Sequence, residues 1–211
     1  MTGAVVELRQ YTLRPGQRHV LIELFDREFV ESQEALGMAI LGQFRDLDDP
    51  DRFVWLRAFP DLATRAERLQ AFYSGPIWRA NSAAANATMI DVDNVLLLRP
   101  VSPDSGFALP PVRPASPDDA TPITSTLVAT IHYRDRPFDV AFAEQFRRVA
   151  SERGVEPMAL FWTEYGENAF PALPVRTGVH AFVWFAREHA DLVDLPTERL
   201  RLAPTPRSLL R

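Results

Sequence analysis

Neither lysine nor cysteine occurs in the 211 residues, so all 23 basic side chains are arginine. Without lysine, Schiff-base chemistry, a pyridoxal-phosphate anchor and a phosphate-loop lysine are excluded. Without cysteine, a thiolate nucleophile, a disulfide framework and a sulfur-based zinc site are excluded too. Glycine is sparse: nine residues lie scattered, with no phosphate cradle and no Gly-x-Ser-x-Gly elbow. No apolar run is long enough to span a membrane, and the N-terminus carries no signal or transit pattern. A cytoplasmic protein with no membrane partner is therefore expected. A net charge of −5 argues against nucleic acid as well.

What is present is ordinary for a globular chain, with 46% hydrophobic and 24% charged residues. The length allows one large domain or two of about 100 residues each. Arginine-only basic residues with abundant alanine and proline point to a high-GC bacterial genome. Seven of the 18 prolines fall between Pro100 and Pro122. Proline at that density blocks both helix and ladder hydrogen bonds, so residues 101–122 read as an extended, semi-rigid linker between 1–100 and 123–211.

The first half reads strand, helix, strand, strand, helix, strand. From Val5 to Leu13 the pattern alternates, with Val6 and Leu8 on one face and Glu7, Arg9 and Tyr11 on the other. Pro15-Gly16 turns the chain into a helix whose apolar stripe is Val20, Leu21, Leu24, Phe25 and Phe29, ending at Gly37. Met38–Leu47 and Arg52–Phe59 form two strands across an acidic turn. Leu62, Ala66, Leu69, Phe72 and Tyr73 recur at helical spacing, Trp78–Ala87 adds a further helical piece, and Asn94–Arg99 is a short apolar strand.

The second half repeats the first in worn form. Tyr11 to Pro15 is echoed by Tyr133 to Pro137, and Phe53-Val54-Trp55 by Phe182-Val183-Trp184. Its fourth strand is expected at Arg199–Ala203 and a shrunken second helix between Arg187 and Asp194. Order, element type and spacing together indicate an internal duplication of a βαββαβ, ferredoxin-like unit. Each such sheet needs a partner for its open face. The partner is either the other half or another chain.

The blocks Val6–Gly16 (VELRQYTLRPG), Phe53–Asp61 (FVWLRAFPD), Phe72–Arg79 (FYSGPIWR) and Asp93–Pro100 (DNVLLLRP) closely resemble the NIPSNAP family. The resemblance covers residues 4 to 100; beyond them only the two echoes match. It implies an α+β fold in which tandem ferredoxin-like halves form an α+β barrel. It also implies a homo-oligomer. The wider superfamily includes cofactor-independent monooxygenases, isomerases, cyclases, haem peroxidases and ligand-binding modules, and no agreed catalytic set can be carried over.

In this fold the first and third strands are antiparallel neighbours, so Glu7 should meet Arg57, and Arg9 should meet Trp55. Gln43 and Arg45 of the second strand can join them. The result is a polar, aromatic face enclosed by the barrel, suited to a small organic ligand. There Arg9, Arg45 and Arg57 would hold an oxygen, Tyr11 would donate a hydrogen bond, and Glu7 would serve as base or orienter. The competing reading is a charged network that only stitches the sheet together, in an interaction module without catalysis. His19 and His189 read as surface residues. His132 and His180 lie at one end of adjacent strands but on opposite faces, so they should share no metal. Either alone can be a structural residue, a general base or a haem ligand, haem being the one cofactor considered.

Overall fold

The computed structural model describes residues 5–110, 112–114 and 125–211. The first half supplies β1 (Val5–Leu13), β2 (Ala39–Asp46), β3 (Arg52–Phe59) and β4 (Met89–Pro100). The second supplies β5 (Leu127–Arg134), β6 (Ala159–Thr163), β7 (His180–Ala186) and β8 (Thr197–Pro204). Their spatial order, β1-β3-β2-β8-β5-β7-β6-β4, closes into a barrel. Each half is a ferredoxin-like sheet, β4-β1-β3-β2 or β8-β5-β7-β6. The two sheets join edge to edge through β2–β8 and β4–β6, so the barrel closes within a single chain.

Strand alternation decides which side chains face the lumen. Val6, Leu8, Val54, Leu56, Leu96, Leu98, Ile131, Phe161, Val183, Phe185, Leu200 and Leu202 fill it as one apolar core. The proline-rich segment is more than a spacer, since Phe107 enters this core against Phe161 and Phe185. Pro111, Pro117 and Pro122 lie outside the described residues.

The opposite face of each sheet is covered by helices. Over the first sheet lie α1 (Arg18–Leu24), a π-helical turn at Phe25–Phe29, α2 (Val30–Ala35), α3 (Leu62–Tyr73) and α4 (Pro76–Thr88). Asp61 caps α3 by accepting from the Thr64 amide at 2.7 Å, and Pro76 opens α4, where a missing N–H costs nothing. Gly37, at φ +83°, ends α2 with amide bonds back to its last turn, as its position suggested. The first helix differs from expectation in two ways. The π turn interrupts it, and Ile22 replaces Val20 on the buried stripe, with Val20 38% exposed. Over the second sheet lies only α5 (Val140–Glu152), capped by Asp139. The second helix expected at Arg187–Asp194 does not form. Too short to bury a helical stripe, the segment instead packs Ala190, Leu192, Val193 and Leu195 irregularly against the sheet. Among the described residues no helix is long and apolar enough to cross a membrane.

Candidate functional site

The β1–β3 register pairs Glu7 with Arg57, Arg9 with Trp55 and Tyr11 with Phe53. The pairing is as expected, but its place is not. Because Val6, Leu8, Val54 and Leu56 occupy the lumen, the polar set lies on the outside of the barrel, beneath the helices. Glu7, Arg9 and Arg57 are fully buried there.

Three arginines converge on the Glu7 carboxylate. Arg57 Nε donates to Oε2 at 2.7 Å and Arg9 Nη1 to the same oxygen at 3.0 Å. Arg65 Nε donates to Oε1 at 2.7 Å, with Nη2 at 2.6 Å. Burial alone would raise the Glu7 pKa, but Arg57, Arg9 and Arg65 outweigh it and hold the carboxyl well below the usual carboxylate range. The guanidinium groups also lie within cation–π distance of aromatic rings: Arg9 over Tyr11 and Trp55, Arg57 over Trp55 and Phe59. The cluster thus holds three cations against one anion.

Next to this cluster, between sheet and helices, lies a cavity of about 300 Å³. Its walls are aromatic: Phe25 and Phe29 from the π turn, Trp55 from β3, Phe72 and Tyr73 from α3, and Trp78 from α4. Two polar side chains link it to the ions. Tyr11 Oη accepts from Arg9 Nε at 2.9 Å, and Gln33 Oε1 accepts from Arg57 Nη1 at 2.9 Å. The Tyr11 hydroxyl hydrogen has no acceptor among the described residues. Burial holds the phenol pKa above its ordinary value despite the nearby Arg9, so the proton stays in place at neutral pH.

The second half closes this first-half cavity. Phe170, Ala172 and Leu173, from the long β6–β7 connection, complete its wall, and Phe170 stacks on Tyr73 at 18° between planes. Asn168 ties that connection to the ions by accepting from Arg65 Nη1 at 2.8 Å. At Gly166 an added Cβ would come within 2.1 Å of Leu62 Cδ1, so glycine permits the close approach to α3.

Of the residues expected at the site, Tyr11 and Trp55 line the cavity. Glu7, Arg9 and Arg57 stand behind it. Gln43 and Arg45 are not part of this cluster. Gln43 faces Asp26 and Arg113 at 3.5 Å each, in a separate network, and Arg45 is half-buried beside it. Sequence reasoning missed Arg65, Gln33 and Asn168. Arg65 had a readable signal, since it shares the buried α3 stripe with Leu69 and Phe72. Asn168 had none, because only the return of a distant loop places it.

The histidines require a correction. His132 pairs with Phe182 and Arg134 with His180, so His132 and His180 share a face instead of opposing. The Tyr…Arg-Pro echo is offset by one residue from the structural repeat, whereas the Phe-Val-Trp echo is in register. His132 therefore stands where Tyr11 stands, Thr130 where Arg9, Val128 where Glu7 and Ala186 where Arg57. The second half has lost the ionic cluster.

His132 is buried with both ring nitrogens engaged. Nε2 accepts from Trp184 Nε1 at 3.2 Å, so Nδ1 carries the proton and donates to Thr197 Oγ1 at 2.8 Å. That arrangement does not fit an axial haem ligand. His180 Nδ1 bonds the Tyr165 hydroxyl at 2.8 Å, and neither histidine lines the cavity.

Burial, with Arg199 adding repulsion, lowers the His132 pKa to about 4. A histidine depressed in the fold binds its proton more readily unfolded. Its contribution to stability is thus intact above about pH 6.5 and lost as pH falls toward 4. Asp26, pushed up to about 6 mainly by burial, acts in the opposite sense over the same range. The variant His132→Gln should therefore lose less stability than the parent between pH 7 and about 4.5. Denaturant titrations of both across that range provide the check, and parallel pH curves would refute the assignment.

Fold and site together define a single-chain α+β barrel with an aromatic cavity backed by a buried arginine–glutamate cluster. Residues 6–103, within the N-terminal half, match the model of the NIPSNAP family. A NIPSNAP-like domain protein from Burkholderia xenovorans is 24% identical, with 53% of this chain and 93% of that one aligned at a TM-score of 0.45. Two provisionally named monooxygenases align over nearly the whole chain and share the fold. The Fusobacterium nucleatum protein is 8% identical, with a TM-score of 0.57 over 100% of this chain and 96% of its own. The Lactobacillus acidophilus protein is 10% identical, with a TM-score of 0.53 over 95% and 93%. No protein of curated function matches.

Proposed function

We propose that this protein binds a planar, largely apolar small molecule in the first-half cavity, with one acceptor oxygen of the ligand on the Tyr11 hydroxyl. The observation that carries the reading is Tyr11 itself. Its oxygen is occupied by Arg9, its hydrogen is without an acceptor among the described residues, and it stands in a wall that is mostly aromatic and aliphatic. A hydroxyl whose oxygen accepts from a guanidinium is a stronger donor, because the charge polarises the chain of bonds. Aromatic walls recognise a flat ligand by stacking and edge contacts. Chemistry without a cofactor would here consist of stabilising negative charge on that oxygen. Tyr11 would be the donor, Arg9 and Arg57 would act behind it, and Glu7 would hold the arginines in place.

The test is to block the cavity. Val92, half-buried on β4, lines it, so Val92→Trp should fill it while keeping strand geometry. Equilibrium dialysis with 7-methoxycoumarin, a neutral bicyclic probe, should show binding to the parent and at least tenfold weaker binding to the variant. Circular dichroism should be unchanged. Equal affinity in both proteins would place the binding site elsewhere.

A further inference from the structure

The cluster behind the cavity carries an uncompensated charge. Arg9, Arg57 and Arg65 share the single carboxylate of Glu7, an excess of two positive charges on groups that are 1% exposed or less. Among carboxylates elsewhere in the helical layer, Glu31 pairs with Arg207 and Glu34 with Arg113, Asp26 lies near both arginines, and Glu23 and Glu67 are exposed to solvent. Arg9 Nη2 and Arg57 Nη2 have no acceptor among the described residues. Buried charge without a counter-charge is costly, and in a medium of low dielectric its field reaches well beyond contact distance.

That field has two hydrogen-bonded routes into the cavity. Arg9 donates to Tyr11 Oη, and Arg57 donates to Gln33 Oε1; both acceptors are wall residues. The other lining residues with titratable or polar groups are Tyr73, Asn86, Trp55 and Trp78, all uncharged, and among the described residues no carboxylate lines the cavity. A neutral ligand would leave the excess charge unanswered. An oxyanion would answer it and accept the Tyr11 proton as a charge-assisted hydrogen bond.

We propose that the cavity selects its ligand as an anion: a phenolate or enolate, the conjugate base of a weakly acidic planar phenol or enol. Ionisation needs no base in the wall, because a solution phenolate can bind directly or the phenol can release its proton to solvent on entry. The ligand is thus held ready to react at the ring or enol carbon, with its negative oxygen on Tyr11. The inference rests on the cavity binding proposed above but is separable from it.

7-Hydroxycoumarin tests it, since its phenol and phenolate absorb at different wavelengths. By linkage, a bound form that titrates one pH unit lower means a phenolate held tenfold more tightly than the phenol. The expected result is a bound-state midpoint at least one unit below that of the free probe, measured by absorbance at saturating protein. A midpoint unchanged or raised, with the probe bound, would overturn the anion assignment and leave cavity binding standing. Failure of both 7-hydroxycoumarin and 7-methoxycoumarin to bind would overturn both.

Discussion

Replacing Glu7 with glutamine should cost about 3–5 kcal/mol of folding stability, the range for removing one partner of a buried ion cluster. Three guanidinium groups would then face one another with no anion between them. At roughly 2–4 °C per kcal/mol for a chain of this length, the thermal midpoint should fall by about 10 °C. The matched control is Glu34→Gln. The Glu34 side chain is 36% exposed, and its pair with Arg113 should contribute within about 1 kcal/mol. Urea titrations of both variants make the comparison. Equal small losses would mean that the cluster does not depend on its carboxylate. The same pairing has a pH signature. Because the folded Glu7 resists protonation and the unfolded one does not, its contribution holds above the ordinary glutamate pKa and is lost as pH falls below it.

Removing the Tyr11 hydroxyl should weaken both ligand binding and folding, and binding is read on the folded variant. A hydrogen bond to a charged group is worth about 1.5–3 kcal/mol, so Tyr11→Phe should weaken phenolate binding roughly 10- to 150-fold. Stability should fall by about 1.5–3 kcal/mol as well, because the hydroxyl accepts from the buried Arg9 guanidinium, while the ring keeps its edge contact with Trp55. Titration of 7-hydroxycoumarin above its own pKa measures the effect. Affinity within twofold of the parent would show that the ligand oxygen does not meet Tyr11.

Much of the architecture was legible in the chain because strand alternation and helical periodicity are local properties. The β1 pattern already separated Val6 and Leu8 from Glu7, Arg9 and Tyr11, and pairing with Arg57 and Trp55 followed from antiparallel register. Periodicity cannot say which face a closed barrel takes inside. Both faces of β1 are buried, one by the lumen and one by helices, so the pattern looks the same either way. The polar face was therefore assigned to the interior although it lies outside. Register in the second half was equally unreadable. A one-residue slip moves every side chain to the other face, and the Tyr133 echo suggested a slipped register that the His132–Phe182 pair corrects.

Composition by itself removed thiol and amine chemistry, and the strand pattern left arginine, glutamate, tyrosine and histidine as the polar set expected inside the barrel. The chain order also determined a repeated four-strand order, without the second helix expected in the second half, and the Glu7–Arg57 pairing. Tertiary structure alone decided that three arginines share one carboxylate, because Arg65 arrives from α3 and not from the sheet. It alone put His132 and His180 on one face with separate partners, Trp184 and Thr197 for the first and Tyr165 for the second, and it alone sent the β6–β7 connection of the second half to wall the cavity of the first. The physical reason is the same in each case. Alternation and spacing are encoded residue by residue, whereas burial, charge balance and enclosure depend on which distant segments the closed barrel brings together.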